Sequence, residues 1–289
     1  MPPTRGLTAS QTILITGGTS GIGLATAERL AVAGAHLVLI SHNPLHGNAA
    51  QNYLQRRTPH ADITIHRADL SSLDEIKRLA EVLNRTLAKI DVLINNAGAI
   101  FTRRELTADG LERTFALNHM SYFVLTNLLR ERLLQSAPSR IINVASEMHR
   151  LAKLDFSDLQ NSIHFTSWKA YSRSKLCNVL FAAELARRLR GTGVTANSFH
   201  PGLVASRFGD DRGFSGLGFR ILKILFGISP RSAAAALANL ATSPDLGKRT
   251  GEYFWGHFSV WPSRTARDAS LARRLWDESV MLSGLKSTF

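Results

Sequence analysis

Two side chains in the stretch AYSRSKLCNV (170–179) are poor core material and sit one helical turn apart: Tyr171 and Lys175. A phenol titrates near 10 in water, too high for efficient proton exchange at neutral pH. A cation at i+4 shares its helix face and stabilises the phenolate, lowering that value. The pair is either a proton-handling unit or two decorations of a solvated face, and the stretch alone leaves both readings open. Ser146 closes the apolar run RIINVAS (140–146), where its hydroxyl can face a ligand or cap a turn. Asn118 lies in a helix-like segment, 107–135, and read alone it could simply satisfy a kinked backbone.

Such residues act together only if a fold converges them. Short apolar runs at 12–16, 36–41, 63–67, 91–96, 140–146 and 194–200, with a last one at 252–255, read as strands. Helix-like segments lie near 22–33, 45–57, 72–89, 107–135, 167–190, 230–242 and 263–281. That alternation predicts an α/β fold: a Rossmann-type doubly wound, mostly parallel seven-stranded sheet with helices on both faces. No repeat or linker divides the chain, so residues 1–289 read as one domain. Ligands of such sheets sit at the carboxyl ends of the strands.

The first strand runs directly into TGGTSGIG (16–23) and then an apolar-periodic helix. Gly17, Gly21 and Gly23 permit a tight turn and close backbone approach, and the helix N-terminus behind them favours an anion. An ordinary strand-to-helix turn is the plain alternative. The second strand ends in Ser41-His42-Asn43, and no acid occurs from His36 to Ala61. A carboxylate there would bind the ribose diol and repel a 2′-phosphate, so its absence favours NADP(H), with NAD(H) as the second option. His42 and His46 are four apart, but no third ligand accompanies them and the Asn-Pro between them argues for a loop, so no metal is expected.

Bulk properties narrow the partners. The formal charge is +13, but basic residues come as dispersed pairs, such as Arg56-Arg57 and Arg273-Arg274. No long basic block with interleaved aromatics appears, so nucleic acid is not an expected partner. The first residues lack an apolar run and the longest greasy stretches are too short to span a bilayer. The single cysteine, Cys177, fits a reducing compartment and reads as a small apolar helix residue, so a cytoplasmic location is expected.

In chain order, the glycine turn, Asn95-Asn96-Ala97-Gly98, Asn118, Ser146 and Tyr171-x3-Lys175 resemble the short-chain dehydrogenase/reductase superfamily. The Asn118-His119 pair, NVASEMH (143–149), YSRSKLCNVLFAAELARRL (171–189) and HPGLVAS (200–206) are similar to its retinol-dehydrogenase-like branch. The resemblance covers about residues 10–255. It implies that Gly17, Thr19, Ser20, Gly21, Ile22 and Gly23 surround the cofactor pyrophosphate. Ser41, His42 and Asn43 would then meet the adenosine ribose, and Asp69-Leu70 the adenine. Asn95, Ala97 and Gly98 would flank that ribose and buttress the sheet. Pro201, Gly202, Val204 and Ser206 would meet the nicotinamide.

The resemblance further implies Tyr171 as general acid/base, Lys175 holding the phenolate and ribose, and Ser146 orienting the substrate oxygen. Asn118 would hold a relay water. Ser146 and Tyr171 are 25 positions apart, an insertion common in that branch and expected to line the substrate pocket; Ala145 stands where the branch often has Ser. His119, His149 and His200 read as structural.

Residues 203–230 mix Phe208, Phe214, Phe219 and Leu222 with glycines and basic residues. They read as a lid over an apolar substrate, as a packing helix, or as an interfacial helix giving at most weak membrane-surface association. The expected activity is hydride transfer between NADP(H) and an apolar secondary alcohol, ketone or aldehyde. A carbon–carbon double-bond reductase of protochlorophyllide-reductase type is one alternative; a non-catalytic dinucleotide-binding regulator is another. In relatives, helices 107–135 and 167–190 form the usual dimer surface, yet the named branch varies, so the sequence leaves a homodimer as one candidate assembly.

Overall fold

The computed structural model describes residues 11–202, 230–286 and 288–289. Its strands are β1 (Thr12–Thr16), β2 (His36–Ser41), β3 (Ile63–Arg67), β4 (Val92–Asn95), β5 (Ser139–Val144), β6 (Val194–His200), β7 (Tyr253–Trp255) and β8 (Phe258–Val260). They form one sheet in the order β3-β2-β1-β4-β5-β6-β7-β8. The first seven pair in parallel and β8 runs antiparallel to β7. The expected seven strands thus become eight among the described residues. Gly256, at φ 57°, lets the chain turn back at once, so that Trp255 pairs with Phe258. A glycine at the first of two central positions suits that hairpin, but HFSV is too short and mixed to announce a strand.

Both faces are covered, which is why the inner strands read as unbroken apolar runs. Ile13 and Ile15 of β1 pack with α1 (Gly21–Val32), α2 (Pro44–Arg57) and α8 (Pro230–Thr242). Leu14 packs on the other side, with α3 (Leu73–Thr86), α5 (Ser121–Leu128) and α7 (Ser167–Arg188). Outside α7 lies α9 (Ala269–Ser283). Its Trp276 meets the rings of Phe123 at 5.0 Å and Phe181 at 5.7 Å, and Arg188 stacks on it at 4.2 Å. Among the described residues no helix is long and apolar enough to cross a membrane.

The segment expected as one helix over 107–135 is broken. Leu106 bridges to Glu112, whose buried carboxylate caps α4 (Arg113–Phe115) through the N–H groups of Thr114 and Phe115. A π-turn follows over Ala116–Met120, then α5, and after Leu129 comes α6 (Arg130–Gln135). The π-turn inserts one extra residue and carries Asn118 and His119.

Candidate active site

The strand order reverses at β1, so the crevice lies beyond the carboxyl ends of β1 and β4. On its floor is the glycine turn. A Cβ on Gly23 would lie 2.2 Å from the Gly17 carbonyl oxygen, so α1 can start this close to the turn only with glycine there. A Cβ on Gly21, by contrast, meets nothing within 4 Å: the turn opens outward. Ser20, the N-cap of α1, makes no side-chain capping bond, and no acid lies in the first turn. The N–H groups of that turn are left for an anion, and a dinucleotide pyrophosphate fits the cradle. Gly23→Ala is expected to weaken binding of a reduced nicotinamide dinucleotide by about tenfold or more, ~1.4 kcal/mol, as measured by fluorescence titration.

The turn is tied to β4 by Thr16 and Asn96, motif residues with no separate role in the sequence reading. Thr16 Oγ1 accepts from the N–H groups of Asn96 at 2.8 Å and Ala97 at 3.0 Å. Asn96 Nδ2 returns bonds to the carbonyls of Thr16 and Gly17 at 2.9 and 3.1 Å. Asn95, expected beside the ribose, turns its side chain into the interior, where Nδ2 donates to Asn143 Oδ1 and Thr126 Oγ1. Strand alternation explains this: Asn95 is the last β4 residue and its parity faces α5. Its buttressing of the sheet is what the structure displays.

At the adenosine end Thr19 donates to Ser41 Oγ at 3.0 Å, and Ser41 donates to the Asn43 carbonyl at 3.0 Å. Asn43 Oδ1 caps α2 by accepting from Leu45 and His46, while His42 is exposed. Asp69 is occupied by the N–H and hydroxyl of Ser71, and Leu70 is buried. Register adds a cation that the sequence reading missed. Arg67, the exposed last residue of β3, is the direct partner of Ser41. Gly47 of α2 lies against both Ile65 and Ser41, so Ile65, Arg67 and Ser41 share the α2 face of the sheet.

The proton-handling residues converge beyond β5. Lys175 Nζ donates to the Val144 carbonyl at 2.9 Å and lies 5.6 Å from the centre of the Tyr171 ring. A Cβ on Gly98 would fall 3.4 Å from that Nζ and 3.1 Å from Asn118 Oδ1, so glycine lets the β4 loop close on the lysine. Asn118 Oδ1 accepts from Ala99 N–H, and its Nδ2 donates to the Ala99 carbonyl and Ser174 Oγ, all at 2.9–3.0 Å. Both amide protons are therefore engaged: the side chain is a clamp between the β4 loop and α7.

Burial pushes the Tyr171 phenol well above its usual value, and the Ser146 hydroxyl, hydrogen-bonded to it, pulls it partly back. Burial also pushes the Lys175 ammonium down to about 7. Loss of solvent is the largest influence on the phenol and acts in the direction opposite to the lowering expected from Lys175. Tyr122, missed in the sequence, adds a second ring 5.8 Å from Lys175 Nζ. His119 is fully buried, pairs with Ser279 Oγ at 3.0 Å and is lowered to about 3 by burial. It fastens α9 to the π-turn.

The insertion between Ser146 and Tyr171 is bound to α7 by Arg173, which donates to the carbonyls of Lys153 and Asp158 and to Asn161 Oδ1. Pro201 and Gly202 (φ 86°) follow directly on the carboxyl end of β6. Val204, Ser206 and the expected lid lie outside the described residues.

A family model described as short chain dehydrogenase matches residues 11–213. Retinol dehydrogenase 12 of Mus musculus is 38% identical over 274 residues, covering 95% of this chain and 86% of that protein. Retinol dehydrogenase 13 of Homo sapiens is 37% identical over 291 residues, covering 99% and 88%. Among solved structures, an uncharacterized protein from Mycobacterium paratuberculosis has a TM-score of 0.78 at 30% identity, covering 99% of this chain and 100% of its own. Pseudomonas aeruginosa RhlG, solved as an NADP active-site complex, gives 0.71 at 25% identity, covering 94% and 100%. A match along that span, with relatives this similar over nearly their full length, makes the chain an NAD(P)(H)-binding oxidoreductase of the short-chain dehydrogenase/reductase superfamily, on its retinol-dehydrogenase-like branch.

Proposed function

We propose that this protein transfers a hydride between NADP(H) and an apolar secondary alcohol, or the matching ketone or aldehyde, with Tyr171 as general acid/base. The observation that carries the reading is the meeting of Tyr171, Ser146 and Lys175 at the strand ends beside an uncapped α1 N-terminus. The nicotinamide, when bound, supplies or takes up the hydride. Ser146 orients the substrate oxygen toward Tyr171, whose hydroxyl gives or receives the proton that balances the alkoxide charge. Lys175 supplies a cation one turn from that phenol and carries the proton onward. Asn118 fixes the gap between Gly98 and Lys175 through its bonds to Ala99 and Ser174, and beside it a relay water connects Lys175 to solvent.

The preference for NADP(H) rests on the missing acid at the end of β2 and on Arg67 beside Ser41. Arg67→Ala is expected to raise KM for NADPH about tenfold, ~1.4 kcal/mol, while leaving that for NADH unchanged. An equal effect on both cofactors would overturn the assignment. The activity of the named relatives places retinoids first in a substrate panel, followed by steroids, aryl ketones and aliphatic aldehydes. Cofactor absorbance read with NADPH and NADH tests both halves of the reading; no turnover of any alcohol or carbonyl would overturn it.

A further inference from the structure

The peptide unit joining Ser146 to Glu147 is held at both ends by imidazoles. His149 Nδ1 donates to the Ser146 carbonyl at 2.8 Å, and its Nε2 accepts from the Ser263 N–H at 3.1 Å. An accepting Nε2 places the ring proton on Nδ1. From the opposite end, the Glu147 N–H donates to His200 Nδ1 at 3.3 Å. His149 is fully buried and His200 nearly so. Burial lowers both imidazoles, His200 to about 4, so each ring is neutral at physiological pH, as its accepting nitrogen requires. The Glu147 carboxylate is itself fixed by Tyr253 at 2.8 Å and Arg150 at 2.6 Å.

Ser146 needs such support. Among the described residues its Oγ accepts one local bond, from Met148 N–H at 3.3 Å, across the short 3₁₀ turn that Ser146 caps. Where that Oγ points depends on the backbone at Ser146, extended at φ −156°, ψ 152°, and ψ there is set by the carbonyl orientation. The carbonyl takes two donors, the His149 N–H at 3.1 Å and the ring Nδ1. We propose that His149 is a positioning residue: through the Ser146 carbonyl, and against the counter-grip of His200, it aims the serine hydroxyl at Tyr171 and the substrate oxygen. The proposal rests on the role of Ser146 given above.

Two substitutions separate the bonds of His149. Asn places its amide nitrogen near Nδ1 and can still donate to Ser146, but it cannot reach Ser263. Gln places its amide near Nε2 and can still accept from Ser263, but it releases Ser146. His149→Gln is expected to lower kcat on the order of 10²-fold, as Ser146→Ala does, with KM for NADPH unchanged. His149→Asn should recover most of that kcat. In a Ser146→Ala background His149→Gln should add little, because both changes remove one interaction. Equal damage from Asn and Gln, or effects that multiply in the double variant, would overturn the positioning role. A Ser146→Ala variant with wild-type kcat would instead remove the role of Ser146, and the positioning proposal with it. Thermal melts check folding. If His149→Gln does not fold, His200→Leu takes away the grip on Glu147 and must show the same non-additivity with Ser146→Ala.

Discussion

Tyr171→Phe is expected to lower kcat by about 10²–10⁴-fold, the usual worth of a positioned proton carrier, and to leave NADPH affinity close to wild type. The substitution keeps a buried ring in place and deletes only the hydroxyl that bonds Ser146. Stopped-flow turnover beside NADPH fluorescence titration separates chemistry from binding; wild-type turnover in this variant would sink the mechanism. The raised phenol also sets the sign of the pH dependence. Carbonyl reduction needs the protonated phenol and should be flat through neutrality, whereas alcohol oxidation needs the phenolate and should climb with pH.

Lys175→Met is expected to abolish turnover and yet raise the melting temperature of the free protein at pH 7. The ordinary lysine value is about 10.4, and burial brings Lys175 to about 7. Between those values the unfolded chain binds more protons than the folded one, so wild-type stability rises with pH across that window. Below about pH 7 the cost of burying the ammonium is at its full size. The stabilisation by methionine should therefore be largest near and below pH 7 and fade as pH approaches 10. Each kcal/mol recovered corresponds to roughly 2–4 °C in Tm. Melts of both proteins from pH 6 to 10 measure the difference; a difference independent of pH would refute the buried-charge account.

Much of this was legible in the residues. TILIT, HLVLIS, ITIHR and VTANSFH are strands to the residue, and the inner pair TILIT and HLVLIS read as apolar runs because both faces of the sheet are buried there. Tyr171 and Lys175 were visible because one helical turn has a fixed length. What escaped depends on quantities that a linear pattern does not carry. Arg67 meets Ser41 only through the register of β2 with β3. Asn95 and Asn96 are chemical twins, and only the parity of β4 sends one inward and the other to the glycine turn. A π-turn shifts the helical phase by one residue, so 107–135 reads as continuous although Ala116–Met120, with Asn118 inside it, is wound differently. The grip of His149 and His200 on one peptide unit joins residues 51 positions apart in the chain.

The α9 helix bears on assembly. It lies on α7, one of the two helices that form a candidate dimer surface, and Trp276 reaches Phe181 on α7 and Phe123 on α5. Being on the same chain, α9 competes as a tethered ligand, and short tethers give effective concentrations in the ~mM range. A second copy in dilute solution faces that competitor at every encounter. Self-association through the part of α7 that α9 covers would have to compete with the Trp276 contacts and the His119–Ser279 bond. A helix that binds its own chain in this way is an intramolecular partner for the face that another copy would need.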